Sequence, residues 1–173
     1  MTFTDADLTD HHQIAVTGVA ASGVTTGLAD QAAVLGWLTL GALSDSTGGI
    51  TGSDAWTFSA QDKNFDYLAA GETLTLTYAV KVDDGHGGTA TQDVAVTITG
   101  TNDTPVITSD AQTGAITEEQ NPYQPNPTGS SDLDKASGTV TFTDADLTDH
   151  HQVAVTGVAA SGVTTGLADQ AAV

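Results

Sequence analysis

Residues Thr73 to Thr99 read TLTLTYAVKVDDGHGGTATQDVAVTIT. Leu74, Leu76, Tyr78, Val80 and Val82 alternate with Thr73, Thr75, Thr77, Ala79 and Lys81. That period of two predicts a strand over Thr73–Asp83 with one buried face. A second strand is predicted over Gln92–Thr99, with Val94, Val96 and Ile98 inward. The glycine-rich Asp83–Thr89 between them is a turn signal, so the pair reads as a hairpin. Weaker strands are expected at Thr2–Thr4, Gln13–Val19, Leu35–Leu40, Ala55–Ser59 and Thr139–Thr143. Leu28–Leu38 also fits a short helix. Trp37, Trp56, Phe58 and Tyr78 are the expected large core residues. Short strands separated by Gly/Asp turns predict an all-β fold, an antiparallel sandwich.

Composition agrees. Thr occurs 30 times in 173 residues, and Thr and Val favour pleated surfaces. Hydrophobic residues make up 39 % of the chain, enough for a core despite a net charge of -19. Three Lys, no Arg and 22 acidic residues disfavour nucleic acid and anionic membranes, which need clustered basic side chains. No apolar run is long enough to insert in a membrane. With no Cys there is neither a disulfide framework nor a thiolate metal site. No Gly-x-Ser-x-Gly elbow, His-Glu-x-x-His or phosphate loop is present, and the chain is not expected to be an enzyme. The adjacent pairs His11-His12 and His150-His151 are poor metal chelates, because strand neighbours point to opposite faces.

Self-comparison adds an internal repeat. Thr2–Val34 and Thr141–Val173 agree at 32 of 33 positions, Val153 replacing Ile14, at an offset of 139 residues. This is the signature of a tandem array. The expected division is a module at 1–103, without its first strand, and the start of the next tandem unit at 104–173. Residues 120–138 hold three of the four Pro and read as an exposed loop. Part of 120–138 or 160–173 is expected to be mobile, because two copies of one segment cannot occupy one place in a core.

The stretch LTLTYAVKVDDGHGGTATQDVAVTITGTNDTPVI, Leu74–Ile107, resembles the VCBS repeat, a cadherin-like repeat of large bacterial surface adhesins often exported by type I secretion. The FDYLAAGE (Phe65–Glu72) and TFTDADLTD segments fit the same family. The resemblance implies an immunoglobulin/cadherin-like Greek-key β-sandwich at the bacterial cell surface. It further implies a non-catalytic role in cell adhesion and biofilm, with calcium as the bound ion. The partners implied are neighbouring copies of the repeat and a cell-surface or glycan ligand. By position, Asn102-Asp103 with Pro105 matches a cadherin linker. Asp144-Ala145-Asp146 and its copy Asp5-Ala6-Asp7 match the Asp-Ala-Asp motif, Asp83-Asp84 the acidic loop, and Glu118-Glu119 the early glutamate. No Leu-Asp-Arg-Glu motif is present, since the chain lacks Arg.

The residues themselves support a hard cation. Alternate loops of a sandwich meet at one pole, so Asp5, Asp7 and Asp10 are expected beside Asp83 and Asp84. Calcium takes six to eight oxygen ligands in flexible geometry, whereas magnesium demands a strict octahedron. Asn102 and Asp103 are expected to meet Asp144 and Asp146 of the following unit. Asp132 and Asp134 read as solvated turn residues. The rival function is a carbohydrate-binding sandwich, which needs exposed rings; Trp37, Trp56, Tyr67 and Tyr123 are the candidates.

Overall fold

A computed structural model describes residues 1–117 and 134–165. The fold is all-β, with antiparallel pairing throughout and one five-residue helix. Strands β1 (Thr2–Thr4) and β2 (Gln13–Gly23) lead into helix α1 (Gln31–Leu35). Then come β3 (Leu38–Leu40), β4 (Thr51–Ser53) and β5 (Trp56–Phe58), followed by β6 (Thr73–Asp83) and β7 (Thr89–Thr99). Two short strands close the series, β8 (Val106–Ile107) and β9 (Phe142–Thr143).

The main sheet has the order β2-β6-β7, so β6 is its central strand. Its alternation is as the sequence predicts: Leu74, Leu76, Tyr78, Val80 and Val82 are all buried. Burying each such side chain contributes roughly 1.5–3 kcal/mol. The Tyr78 hydroxyl, at the centre, donates to the Val34 carbonyl at 2.9 Å. Leu38 and Val34 pack against this face, with Phe58 and Trp37 partly buried beside them. Trp37 meets Phe58 and Phe65 edge-on, and Phe58 meets Tyr78.

Three details differ from expectation. β6 has the expected bounds, but β2 and β7 run longer than Gln13–Val19 and Gln92–Thr99, because both follow the full length of β6. A bulge between Val16 and Gly18 absorbs one residue of β2. Of the two readings of this stretch, the short helix within Leu28–Leu38 holds and the strand begins only at Leu38, so Leu35 ends a helix: the Asp30 side chain caps Ala33 N–H at 2.9 Å and Gly36 closes the turn. Trp56 is 42 % exposed and is not a core residue. It lies on β5, which pairs with β3 alone, and a two-stranded sheet of three-residue strands leaves its rim uncovered.

The two copies of TFT are used differently. Phe3 in β1 pairs with Gly52 of β4, whereas Phe142 in β9 pairs with Ile107 of β8. Most of the 120–138 loop and the end of 160–173 lie outside the described residues, as do Glu118, Glu119, Tyr123 and Asp132.

Candidate functional site

The chain carries acidic side chains at two poles. At the first, β1 delivers Asp5, whose Oδ1 accepts the Asp7 N–H at 2.8 Å. The β6–β7 hairpin delivers Asp84, whose Oδ1 accepts N–H groups of His86 (2.7 Å) and Gly88 (2.9 Å). One carboxylate oxygen from each of Asp5, Asp10 and Asp84 falls within 4.8 Å of the others. The predicted convergence is therefore realised by three of its five residues. Asp7 is exposed outside the cluster. Asp83 faces away from it, because it neighbours Asp84 in an extended chain. It pairs with Lys81 at 2.9 Å, and that hydrogen bond holds its carboxyl below the usual range.

Histidines already serve this pole. His12, 7 % exposed, presents Nε2 to Asp5 at 2.9 Å and Nδ1 to Asp45 at 2.7 Å, with its ring against Phe3. Only an imidazolium donates from both nitrogens. Burial opposes that charge, but the hydrogen bonds to Asp5 and Asp45 outweigh it and raise the His12 pKa. Burial likewise pushes Asp45 up; hydrogen bonds from the His12 backbone and ring and from Ser46 N–H override it, leaving Asp45 at about 2. Asp5 is lowered by the Asp7 N–H and then by His12. His86 lies 3.3 Å from Asp10. His11, its side chain 82 % exposed, lies 3.6 Å from Asp45, the carboxylate that His12 also contacts.

The second pole is the junction where the second copy meets residues 67–103. The Asp103 N–H donates to Asp146 Oδ2 at 2.8 Å. Leu147 N–H reaches the Tyr67 carbonyl at 3.4 Å, and Thr148 donates to Glu72 Oε1 at 2.9 Å. Gly100 permits this shape. A Cβ there would overlap the Leu68 and Ala69 carbonyl oxygens, and its N–H donates to Glu72 O at 2.8 Å. The Asp103 pKa is raised, by burial first and then by the carboxylates of Asp146, Asp66, Asp144 and Asp62. Asp146 is 3 % exposed, and its Oδ1 has no hydrogen-bond partner. Asn102 is exposed and its amide bonds only the neighbouring Asp103 carbonyl. Among the described residues the one lysine ion pair is Lys81–Asp83, so no lysine neutralises this group.

The copies repeat one local device. Asp144 Oδ2 meets His151 Nε2 at 2.8 Å, and the His151 ring lies 4.9 Å from Phe142, as His12 lies 4.8 Å from Phe3. The His151 hydrogen bond, followed by the Asp146 N–H, lowers Asp144. Yet Asp7 is exposed where its twin Asp146 is buried, the second copy resting on Tyr67, Glu72 and Asp103. Sequence reasoning missed Asp45, Asp62, Asp66 and the bridging role of His12. Asp62 and Asp66 flank Phe65 at the start of FDYLAAGE, and that acidic pair four residues apart was the available signal.

Of the rings considered for sugar stacking, Tyr67 is buried, Trp37 is half-buried and Trp56 is exposed. No helix among the described residues is long and apolar enough to cross a membrane. No family model, curated protein or solved structure matches the chain.

Proposed function

We propose that the chain is a unit of a tandem array, a non-catalytic extracellular spacer and adhesion repeat whose unit junctions are stiffened by calcium. The immunoglobulin-like Greek-key connection of the strands belongs to the same reading. One observation carries it: Asp146 is buried at the junction with Oδ1 unpartnered, beside Asp103, whose carboxyl feels Asp146, Asp66, Asp144 and Asp62. A buried carboxylate oxygen without a donor is costly, and further carboxylates around it raise the cost. A hard cation relieves both, and an all-oxygen donor set suits calcium. Asp146 and Asp103 would hold it; among the described residues no three carboxylates of this pole lie within 4.8 Å of one another, as those of Asp5, Asp10 and Asp84 do. The ion would supply positive charge that ties the end of one unit to the start of the next.

The Asp5/Asp10/Asp84 pole is the second candidate, and among the described residues the one whose carboxylate oxygens already converge. Its carboxylates already have His12, His86 and backbone N–H partners. The 139-residue repeat and the Asp7/Asp146 contrast support the array reading. Calorimetric titration tests it: calcium is expected to bind at about 0.1–1 mM, with magnesium weaker. Absence of calcium-dependent heat and of any melting shift at 5–10 mM, roughly tenfold above that range, overturns the metal reading.

A further inference from the structure

The contacts of the second copy leave a very short joint in the chain. β8 and β9 pair Val106 with Thr143 and Ile107 with Phe142. The register continues one step to Thr108, whose N–H donates to the Thr141 carbonyl at 2.8 Å and whose hydroxyl meets that of Thr141 at 2.9 Å. Followed three residues the other way, the same register sets Asp103 opposite Asp146, where the Asp103 N–H donates to Oδ2 at 2.8 Å. The stretch from Asp103 to Thr108 is thus bound to the second copy. Gly100 is bound to the main module instead: its N–H donates to the Glu72 carbonyl at 2.8 Å, and its carbonyl accepts the Gly71 N–H at 3.1 Å. Only Thr101 and Asn102, both exposed, lie between these two anchors.

A second connection runs beside that joint. The segment from Phe65 to Glu72 buries Tyr67 and Leu68 in the core. Its polar groups hold the second copy. The Tyr67 carbonyl accepts the Leu147 N–H at 3.4 Å. Glu72 uses both carboxylate oxygens: Oε2 accepts the Ala69 N–H at 3.0 Å and fixes the segment's own turn, while Oε1 accepts the Thr148 hydroxyl at 2.9 Å. We propose that Tyr67 and Glu72 form a docking seat for the Asp-Ala-Asp-Leu-Thr turn of the following unit, and that this seat sets the angle between units before any cation binds. The occupant is named by the repeat, because the docked turn Asp144–Thr148 is identical to Asp5–Thr9. The seat rests on the tandem-unit reading and needs no calcium.

Docking costs little chain entropy. Asp144 directly follows β9, and Asp103 stands three residues before β8. Pairing of β8 with β9 has therefore closed the long loop between them before the seat is reached. What opposes docking is the approach of the Asp146 carboxylate to that of Asp103, since like charges repel. In a chain without a cation the hydrogen bonds from Asp103, Leu147 and Thr148 are what hold the turn in place.

The chain has no Cys, so two introduced ones carry spin labels cleanly. Ala95→Cys on β7 and Val140→Cys just before β9, both at exposed positions, report the distance across the joint of the full chain by pulsed electron resonance. In EDTA the labelled chain should give one narrow distance distribution, and the Leu147 amide should be protected from hydrogen exchange. Thr148→Val deletes the hydroxyl and leaves the main module untouched. It should broaden the distribution and speed Leu147 exchange by roughly two- to tenfold, the worth of one hydrogen bond, while β6 amides keep their protection. Thr148→Ser should restore both. A broad distribution in EDTA that narrows only in calcium overturns the seat and leaves the calcium reading standing. A narrow distribution in EDTA, with no heat of calcium binding, upholds the seat and removes the calcium reading. A Thr148→Val chain that matches the wild type in EDTA overturns the seat, because the Glu72 contact then holds nothing.

Discussion

Asp146→Asn is expected to change the sign of its effect with calcium. The side chain is buried, and its Oδ2 accepts the Asp103 N–H at 2.8 Å, which the Asn carbonyl can also accept. The neutral amide removes a buried negative charge whose Oδ1 has no hydrogen-bond partner. In EDTA the variant should therefore melt at or above the wild type. Calcium reverses the order. At 2 mM calcium a site with Kd of about 0.1–1 mM stabilises the wild type by RT ln(1 + [L]/Kd), about 0.6–1.8 kcal/mol. For a domain near 100 residues that raises Tm by about 3–14 °C. Asn removes a charged ligand and most of this gain. Thermal melts of both proteins across a calcium series, followed by circular dichroism, should show the two curves crossing. A lower Tm for the variant in EDTA would mean that the carboxylate is satisfied without a cation. A full calcium gain in the variant would remove Asp146 from the ligand set.

Three further outcomes are expected. Leu76→Ala, at a position with no exposure, should cost about 2–5 kcal/mol in denaturant unfolding, whereas Trp56→Ala, on the open rim, should cost less than about 1 kcal/mol; equal losses would contradict the placement of the core. Gly100→Ala drives a Cβ into the Leu68 and Ala69 carbonyls and should cost about 1–3 kcal/mol as overpacking, with weaker calcium binding because Asp103 shifts; an unchanged Tm would refute the close approach. The Asp45 carboxyl, held at about 2 against an ordinary 3.8, contributes stability that is present above the ordinary value and lost as pH falls through 2. His12, raised above 6.5, contributes stability that is complete below 6.5 and fades as pH climbs through its folded value. Asp45→Asn should flatten the acid limb of a Tm–pH curve, and parallel curves for variant and wild type would show that the His12–Asp45 contact is not coupled to folding.

The main sheet was legible in the sequence because its signal is local. In β6 every second residue is large and apolar, so period alone assigns the strand, its buried face and the hairpin that follows. The short strands were less legible. Trp56 and Phe58 occupy equivalent positions on one three-residue strand, and only the packing of other elements decides that Phe58 is partly covered and Trp56 is not. Leu35 likewise depends on a cap at Asp30 and a stop at Gly36, which compete with strand propensity over a few residues.

The acidic poles lay at the limit of such reading. Loop topology was enough to bring Asp5 and Asp10 to Asp84, but adjacency in an extended chain sends Asp83 the other way, toward Lys81. Nothing local distinguishes Asp7 from Asp146: both stand in TFTDADLTDHH, and both donate a backbone N–H to the Asp two residues earlier. One is exposed and the other is 3 % exposed with an oxygen left unpartnered. The difference comes from the contacts of the second copy with Asp103, Tyr67 and Glu72. The buried setting of Asp146 is thus a property of two segments far apart in the sequence, 67–103 and 144–148, and the motif alone does not specify it.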